Sequence, residues 1–367
     1  MTSSREIGSR IRAEITLVLA PLLVIACGSG AILPGSATPE TGAVPSLSQP
    51  AGSVATPVPS RRDATPTPTV TPTEPYEGVP VTRIAAEILD LDGAEVGYMA
   101  ASAHHIWVAT TSGLVRIDPK TSKPKFVDHE GRFGVAASAR SVWTTDFDAE
   151  TVSRFDASTA RRTTSAELVG SPNAVAVLGD SVWVAQHRRG SITRLVEPSA
   201  RVLALIDVGP AGRSGPQGVT ATADGVWVGV PNIGSVVRID ASSNAIVATI
   251  ETPASPCGGI TVLPDAVWVS TCFDDHFALR IDPRTNRNVA QVDIGGPNGG
   301  AVMVSGYPWF PVGGRLVRVN PATNSVDRVL EFADRFSAFG STIGFGSVWI
   351  GGTEGEVARV PLSAVGG

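Results

Sequence analysis

The chain has 367 residues and a net charge of −5, with only 17% charged residues against 39 glycines and 28 prolines. That length suits one large core or two smaller ones, and the glycine and proline content favours short strands and tight turns over long helices. No basic block appears, which argues against nucleic acid as a partner, and the mild acidity is a matter of solubility.

Arg5, Arg10 and Arg12 precede the apolar run ITLVLAPLLVIA, residues 15–26. The run is too short to span a bilayer stably and has the shape of a signal-peptide core, so 1–26 reads as a leader. It ends in Val24-Ile25-Ala26-Cys27, which resembles the lipobox of bacterial lipoproteins, where the cysteine is acylated and becomes the first mature residue. The alternative is a general secretory signal that contains a cysteine; the small residue directly before Cys27 favours the lipobox. Each buried CH₂ of an acyl chain such as palmitate contributes roughly 0.8 kcal/mol, so several chains on Cys27 would hold the protein to a membrane. Residues 27–80 are Pro-, Ser- and Thr-rich, with PTPTVTPTEP as the clearest part. Such a segment cannot bury enough apolar area to offset its ordering entropy and reads as a disordered, semi-rigid tether. The expected location is extracytoplasmic, lipid-anchored to the bacterial cell envelope.

From residue 81 to 362 one motif recurs. Its cores are HIWVAT, SVWTTD, SVWVAQ, GVWVGV, AVWVST, YPWFPV and SVWIGG, holding Trp107, Trp143, Trp183, Trp227, Trp268, Trp309 and Trp349. These are all seven tryptophans of the chain, spaced by 36, 40, 44, 41, 41 and 40 residues. An arginine follows each after nine to twelve residues: Arg116, Arg154, Arg194, Arg238, Arg280, Arg318 and Arg359. Each unit reads as four short strands between turn residues, and a period near 40 with four strands marks a β-propeller blade. A sheet apolar on both faces must stack on neighbours around an axis, with the tryptophan as an apolar plate between them. The expected fold is therefore all-β: a seven-bladed β-propeller of four-stranded antiparallel blades, closed by an N-terminal strand. The last unit stops near Leu362, and 81–93 looks like an outer strand without partners, so it is expected to complete the last blade. Residues 363–367 form a tail. Asp118 and Asp282, in Asp-Pro-x-Thr turns, are expected to cap the link to the fourth strand through Asx-type bonds.

The pattern SVWV…G.V.RIDP.T.…V..I..G..P.G resembles the YVTN-type and virginiamycin B lyase-like seven-bladed propellers of bacteria over 81–362. The resemblance speaks for the fold, and such repeats host binding, scaffold and enzyme roles alike. It also implies that a lyase of this kind would use His and Glu with a magnesium ion in the central cavity. The five histidines here include none at the start of an inner strand, and no Gly-x-Ser-x-Gly, His-Glu-x-x-His or phosphate-loop motif occurs.

Cys257 and Cys272 remain as an even pair, flanking the hairpin around Pro264-Asp265. If Leu263 faces Ala266, Cys257 faces Cys272 and a disulfide follows; a register slip would leave two buried thiols. In propellers, ligands meet the face built from the loops leading into inner strands and the hairpins between second and third strands. The first set places Arg132, Asn173, Gln217 and Asn298 near the central mouth; the second offers Asp146, His187, Asn232 and His276. Pockets use few polar groups, so most of these satisfy local turns. The seven arginines read as packed stems with heads paired to a neighbouring blade, not as an anion ring.

The reading favoured is a membrane-anchored binding or scaffold module, taking a protein, glycan or small ligand at the central face, without a cofactor, as a monomer. The alternative is a metal-assisted lyase or hydrolase with its site, and a magnesium ion, at the central mouth. The catalytic residues of that alternative are not identifiable from the sequence.

Overall fold

The computed structural model describes residues 76–272 and 275–366. The leader, Cys27 and residues 27–75 of the tether lie outside the described residues. Among the described residues no helix is long and apolar enough to cross a membrane.

The described chain is a seven-bladed β-propeller. Blades 1 to 6 cover 96–126, 135–167, 172–207, 218–251, 256–293 and 302–331, each with its four strands in sequence order from the axis outward. In every blade the tryptophan of the second strand stands opposite the arginine of the third: Trp227 opposite Arg238, Trp349 opposite Arg359, and so on round the ring. Alternation along the strands then gives each blade one face toward each neighbour.

Closure departs from the sequence expectation in one respect. Residues 81–93 do not form one outer strand. Glu87–Asp90 pairs antiparallel with Glu356–Pro361 and supplies the fourth strand of blade 7 (338–361). Val81–Arg83 instead adds a fifth, parallel strand to blade 6, with Val81 opposite Val329 and Arg83 opposite Glu331. Ile84–Ala86 carries the chain between the two sheets, and the alternation of apolar residues cannot say which of two neighbouring edges a short strand will join. Tyr76, still earlier, is buried, and its hydroxyl donates to Ile294 O at 2.5 Å.

The core is a series of plates between blades. Trp107 packs on Val142 and Phe155 of blade 2, Trp227 on Val267 and Val269 of blade 5, and Trp349 on Val108 and Val115 of blade 1, so the last plate closes on the first sheet. All seven indoles are fully buried. The arginines complete the contact. Arg238 lies over Trp227, 4.9 Å from the ring centroid, and donates to Pro283 O at 2.7 Å and Asn286 Oδ1 at 3.0 Å in the outer turn of blade 5. Arg194 reaches Ala241 O and Asn244 Oδ1 in blade 4 in the same way, and Arg280 reaches Pro321 O and Asn324 Oδ1 in blade 6. Arg154 uses a carboxylate, Glu197 of blade 3, which also accepts from Trp143 Nε1. Arg318 differs, pairing with Asp327 of its own blade at 2.7 Å.

The turns that receive these arginines are built by Asx-type bonds. Asp118 Oδ1 accepts from the backbone N–H of Lys120 and Thr121, and Asp240 Oδ1 accepts from the hydroxyls and N–H groups of Ser242 and Ser243. The Ser242 hydroxyl, then the Ser243 donors, hold the Asp240 carboxyl far below the usual carboxylate range. Asn286 and Asn324, which accept from the arginines, have φ of 53° and 52°; an asparagine tolerates this left-handed backbone better than most residues.

Candidate functional site

The upper face gathers the loops leading into the first strands and the hairpins between second and third strands. At its centre the axis is stoppered. Tyr98, on the first strand of blade 1, meets Phe133 and Phe339 edge-on, with ring centroids 5.6 and 5.8 Å away, and those two meet each other at 5.8 Å. The Tyr98 hydroxyl donates across the axis to Gln217 O at 3.2 Å. Burial pushes its pKa up, so it stays a neutral donor.

Glycines let the strands come close enough for this. A Cβ on Gly258 would sit 1.6 Å from the Tyr98 hydroxyl, and one on Gly259 would sit 2.2 Å from Gly300 Cα. Below the stopper lies a cavity of about 220 Å³ lined by glycines, apolar residues, Thr220, Thr261 and Ser341. These hydroxyls are engaged between blades: Thr220 donates to Ile260 O, Thr261 to Ala301 O and Ser341 to Gly300 O. Apart from Tyr98 no titratable side chain lines this space, and no group of three or more His, Cys, Asp or Glu among the described residues is placed to hold a metal ion. The donor set is one of hydroxyls and carbonyls already bonded to each other, so the described axial residues do not fit a magnesium ion, and no catalytic step is derived through one.

The eight polar residues singled out from sequence do not converge. Arg132 is buried between blades 1 and 2, paired with Asp128 at 2.8 Å and Glu130 at 2.6 Å. Asn173 is buried, with its carbonyl accepting from Thr145 Oγ1. Asn298 donates to Phe277 O at 3.4 Å and accepts from Gly300 N at 3.3 Å. Asp146 accepts from Ala149 N within its own hairpin. His276 is exposed, and its carbonyl accepts from Ile294 N. His187 and Asn232 both close over Gly215, where a Cβ would lie 2.8 Å from His187 Cε1 and 2.6 Å from Asn232 Nδ2. Burial lowers the His187 pKa, and its ring leans on Phe147 at 5.8 Å. Gln217 is the one of the eight at the axis: its backbone holds Tyr98, and its Oε1 lies 3.4 and 3.3 Å from the sulfurs of Cys257 and Cys272.

Those cysteines form a disulfide, with Cα atoms 5.0 Å apart. Near the turn the hairpin has the expected register, Leu263 N bonding to Ala266 O, and the register then shifts between Pro256 and Ile260.

A second feature of the upper face was not singled out from sequence. A recess of about 420 Å³ opens between the loop leading into blade 6 (295–297), the hairpin of blade 6 (312–315) and the loop leading into blade 7 (333–338). Arg315 lies over Tyr76, 5.7 Å from the centroid, with its Nε 3.6 Å from Glu331 Oε2. Asp334 is held by Arg83 at 2.8 Å, which keeps its carboxyl below the usual range. Arg335 is exposed and makes no side-chain hydrogen bond or ion pair among the described residues. Phe336 supplies an aromatic wall. Gly296 and Gly314 line the floor, and a Cβ on Gly314 would meet Ala333 O at 2.0 Å.

No family model and no curated protein matches this chain. Solved structures do. A streptogramin B lyase superposes with a TM-score of 0.64 at 18% identity, covering 75% of this chain and 96% of that one. Virginiamycin B lyase from Staphylococcus aureus gives 0.63 at 15% identity, covering 75% and 98%. A chain of the mitotic checkpoint complex gives 0.67 at 11% identity, covering 82% and 99%. The shared property is the fold. A scaffold that fits a streptogramin B lyase and a chain of the mitotic checkpoint complex equally well does not choose between their activities.

Proposed function

We propose that this propeller is an extracytoplasmic binding module, held to the membrane through lipidated Cys27 and a Pro/Thr-rich tether, with the recess beside blade 6 as the seat of an acidic glycan. The observation that supports the reading is the contrast on the upper face. The axial mouth is closed by three packed rings and the hydroxyls of the cavity beneath it are already bonded between blades, while the recess offers the free guanidinium of Arg335, the half-exposed Arg315 and the ring of Phe336. A volume of about 420 Å³ falls within the usual range of ligand pockets, roughly 300–1,000 Å³. A guanidinium recognises a carboxylate through paired N–H donors, and an aromatic ring gives a sugar an apolar face to lie on.

The test is titration of the full chain with a uronate-containing disaccharide and with its neutral methyl ester. Binding of the acid at least tenfold tighter than the ester is expected, and Arg315→Ala with Arg335→Ala should remove that preference, since hydrogen bonds to charged groups contribute about 1.5–3 kcal/mol. Equal affinity for both sugars, or no binding of either, would remove the acidic glycan from consideration. The anchor is tested separately. Cells fed labelled palmitate should yield labelled protein in the membrane fraction, and Cys27→Ala should lose the label and move to the soluble fraction. An unlabelled, soluble wild-type protein would return the leader to a general secretory signal.

A further inference from the structure

The outer strand of blade 3, Arg201–Asp207, reads RVLALID and ends its sheet, with no strand beyond it among the described residues. Val202, Leu203 and Leu205 are 53%, 47% and 43% exposed. Edge strands usually carry charges or bulges that discourage pairing, and this one has charged ends and a central irregularity, yet its run of exposed aliphatic side chains still leaves apolar area to be covered. The fold already shows that a blade edge can take one. Arg328 stands opposite Arg318 as Ala204 stands opposite Arg194, so Leu205–Asp207 occupies in blade 3 the place of Val329–Glu331 in blade 6, where Val81–Arg83 is paired.

We infer that the edge of blade 3 is where a second copy of this chain docks, antiparallel, about a twofold axis at Ala204. The sequence is self-complementary in that arrangement. The Arg201 end of one strand comes beside the Asp207 end of the partner's, and Leu203 comes beside the partner's Leu205, while Ile206 stays buried in its own sheet. Neither the Arg201 nor the Asp207 side chain makes a hydrogen bond or ion pair among the described residues, so both charges are free to be answered from outside. The edges of blades 4 and 5 lack this combination. Ile246–Glu251 begins without a basic residue, and Arg287–Asp293 places Asn288 and Gln291 between its charged ends, with Asp293 already accepting from Gly295 N. The ladder to the third strand of blade 3 is irregular between Ala204 and Val202. The contact is therefore carried by the aliphatic side chains and the charged ends, not by a continuous new ladder. Two copies related by a twofold axis present the same patch to each other, as an isologous interface requires. In a ring of seven, blade 3 lies across from blades 6 and 7, so the recess of each copy stays open.

Charge reversal tests the register. In sedimentation equilibrium the full chain should self-associate, and Arg201→Asp alone or Asp207→Arg alone should weaken that association by about tenfold, because each places two pairs of like charges opposite each other. Mixing the two single variants should restore it, since the Arg201→Asp copy then presents two acids to two bases on the Asp207→Arg copy. Leu203→Asp should abolish association in every mixture. Unchanged melting of each variant separates these effects from misfolding. A wild-type chain that stays monomeric up to about 1 mM, or single variants that associate as well as wild type, or a mixture that fails to recover, would each overturn the inference.

Discussion

Trp227→Ala is expected to lower the stability of the propeller by about 3–5 kcal/mol, read from the midpoint of urea unfolding. The indole is fully buried and fills the space between blades 4 and 5, among Val236, Ile250, Ile260, Val267 and Leu279. Its removal leaves a cavity that neighbouring β-branched side chains on two separate sheets cannot collapse into. The loss extends past the cavity. Arg238 would have no ring beneath it, although its bonds to Pro283 O and Asn286 Oδ1 remain. Two companions isolate the terms. Arg238→Ala removes the cation–π contact and the latch to blade 5 and is expected to cost about 1–2 kcal/mol. Trp227→Phe keeps a smaller aromatic plate and gives up an indole N–H that has no partner, so it should leave a smaller cavity and cost less than alanine does. A loss under about 1 kcal/mol for Trp227→Ala would mean that blades 4 and 5 do not depend on the plate.

The repeat made the ring legible because the same physical demand is met seven times. A tryptophan opposite an arginine, a turn begun by Asp118, Asp156, Asp240 or Asp282, and a period near forty are each weak alone, and in register they leave one architecture. What the repeat does not write was harder to see. Val81–Arg83 and Glu87–Asp90 share one apolar pattern and go to different blades, a choice set by the path between them and not by composition. Polarity alone is a poor guide to which residues of the upper-face loops converge. Arg132 is polar because it answers Asp128 and Glu130, and Asp146 because it serves local backbone, while Asn173 takes part through its main-chain carbonyl. The stopper is aromatic at only some units: Phe133 and Phe339 each stand three residues before the partner of the tryptophan, and Tyr98 two before, so its trace in the sequence is an aromatic residue beside glycine in Gly97-Tyr98, Phe133-Gly134 and Phe339-Gly340. The Arg335 recess depends on three loops from distant parts of the chain, and no local pattern foreshadows their meeting. The disulfide was within reach because its hairpin is local, separated by 15 residues.

Gly259→Ala is expected to destabilise the fold by about 3 kcal/mol, at the upper end of what overpacking costs, and Gly259→Val by more. The new Cβ would sit 2.2 Å from Gly300 Cα and 2.7 Å from both Gly300 N and Ser270 Oγ. Backbone cannot rotate away as a side chain can, so the first strands of blades 5 and 6 would have to part. Ser270 Oγ accepts from Gly259 N at 2.9 Å, and that bond would be stretched by the same displacement. Gly179 provides the control: it lies in a turn with φ of 56° and nothing within 4 Å of its Cβ position, so Gly179→Asn should stay within about 0.5 kcal/mol of wild type. The comparison bears on function as well as stability. The proposed binding site lies at the edge of the upper face because the inner strands meet closely at Gly259 and Gly300 and the axial mouth is closed by Tyr98. If Gly259→Ala unfolds at the same urea concentration as wild type, the inner strands stand further apart than glycine contact requires. Room for a ligand at the central mouth would then return, and with it the case for chemistry there.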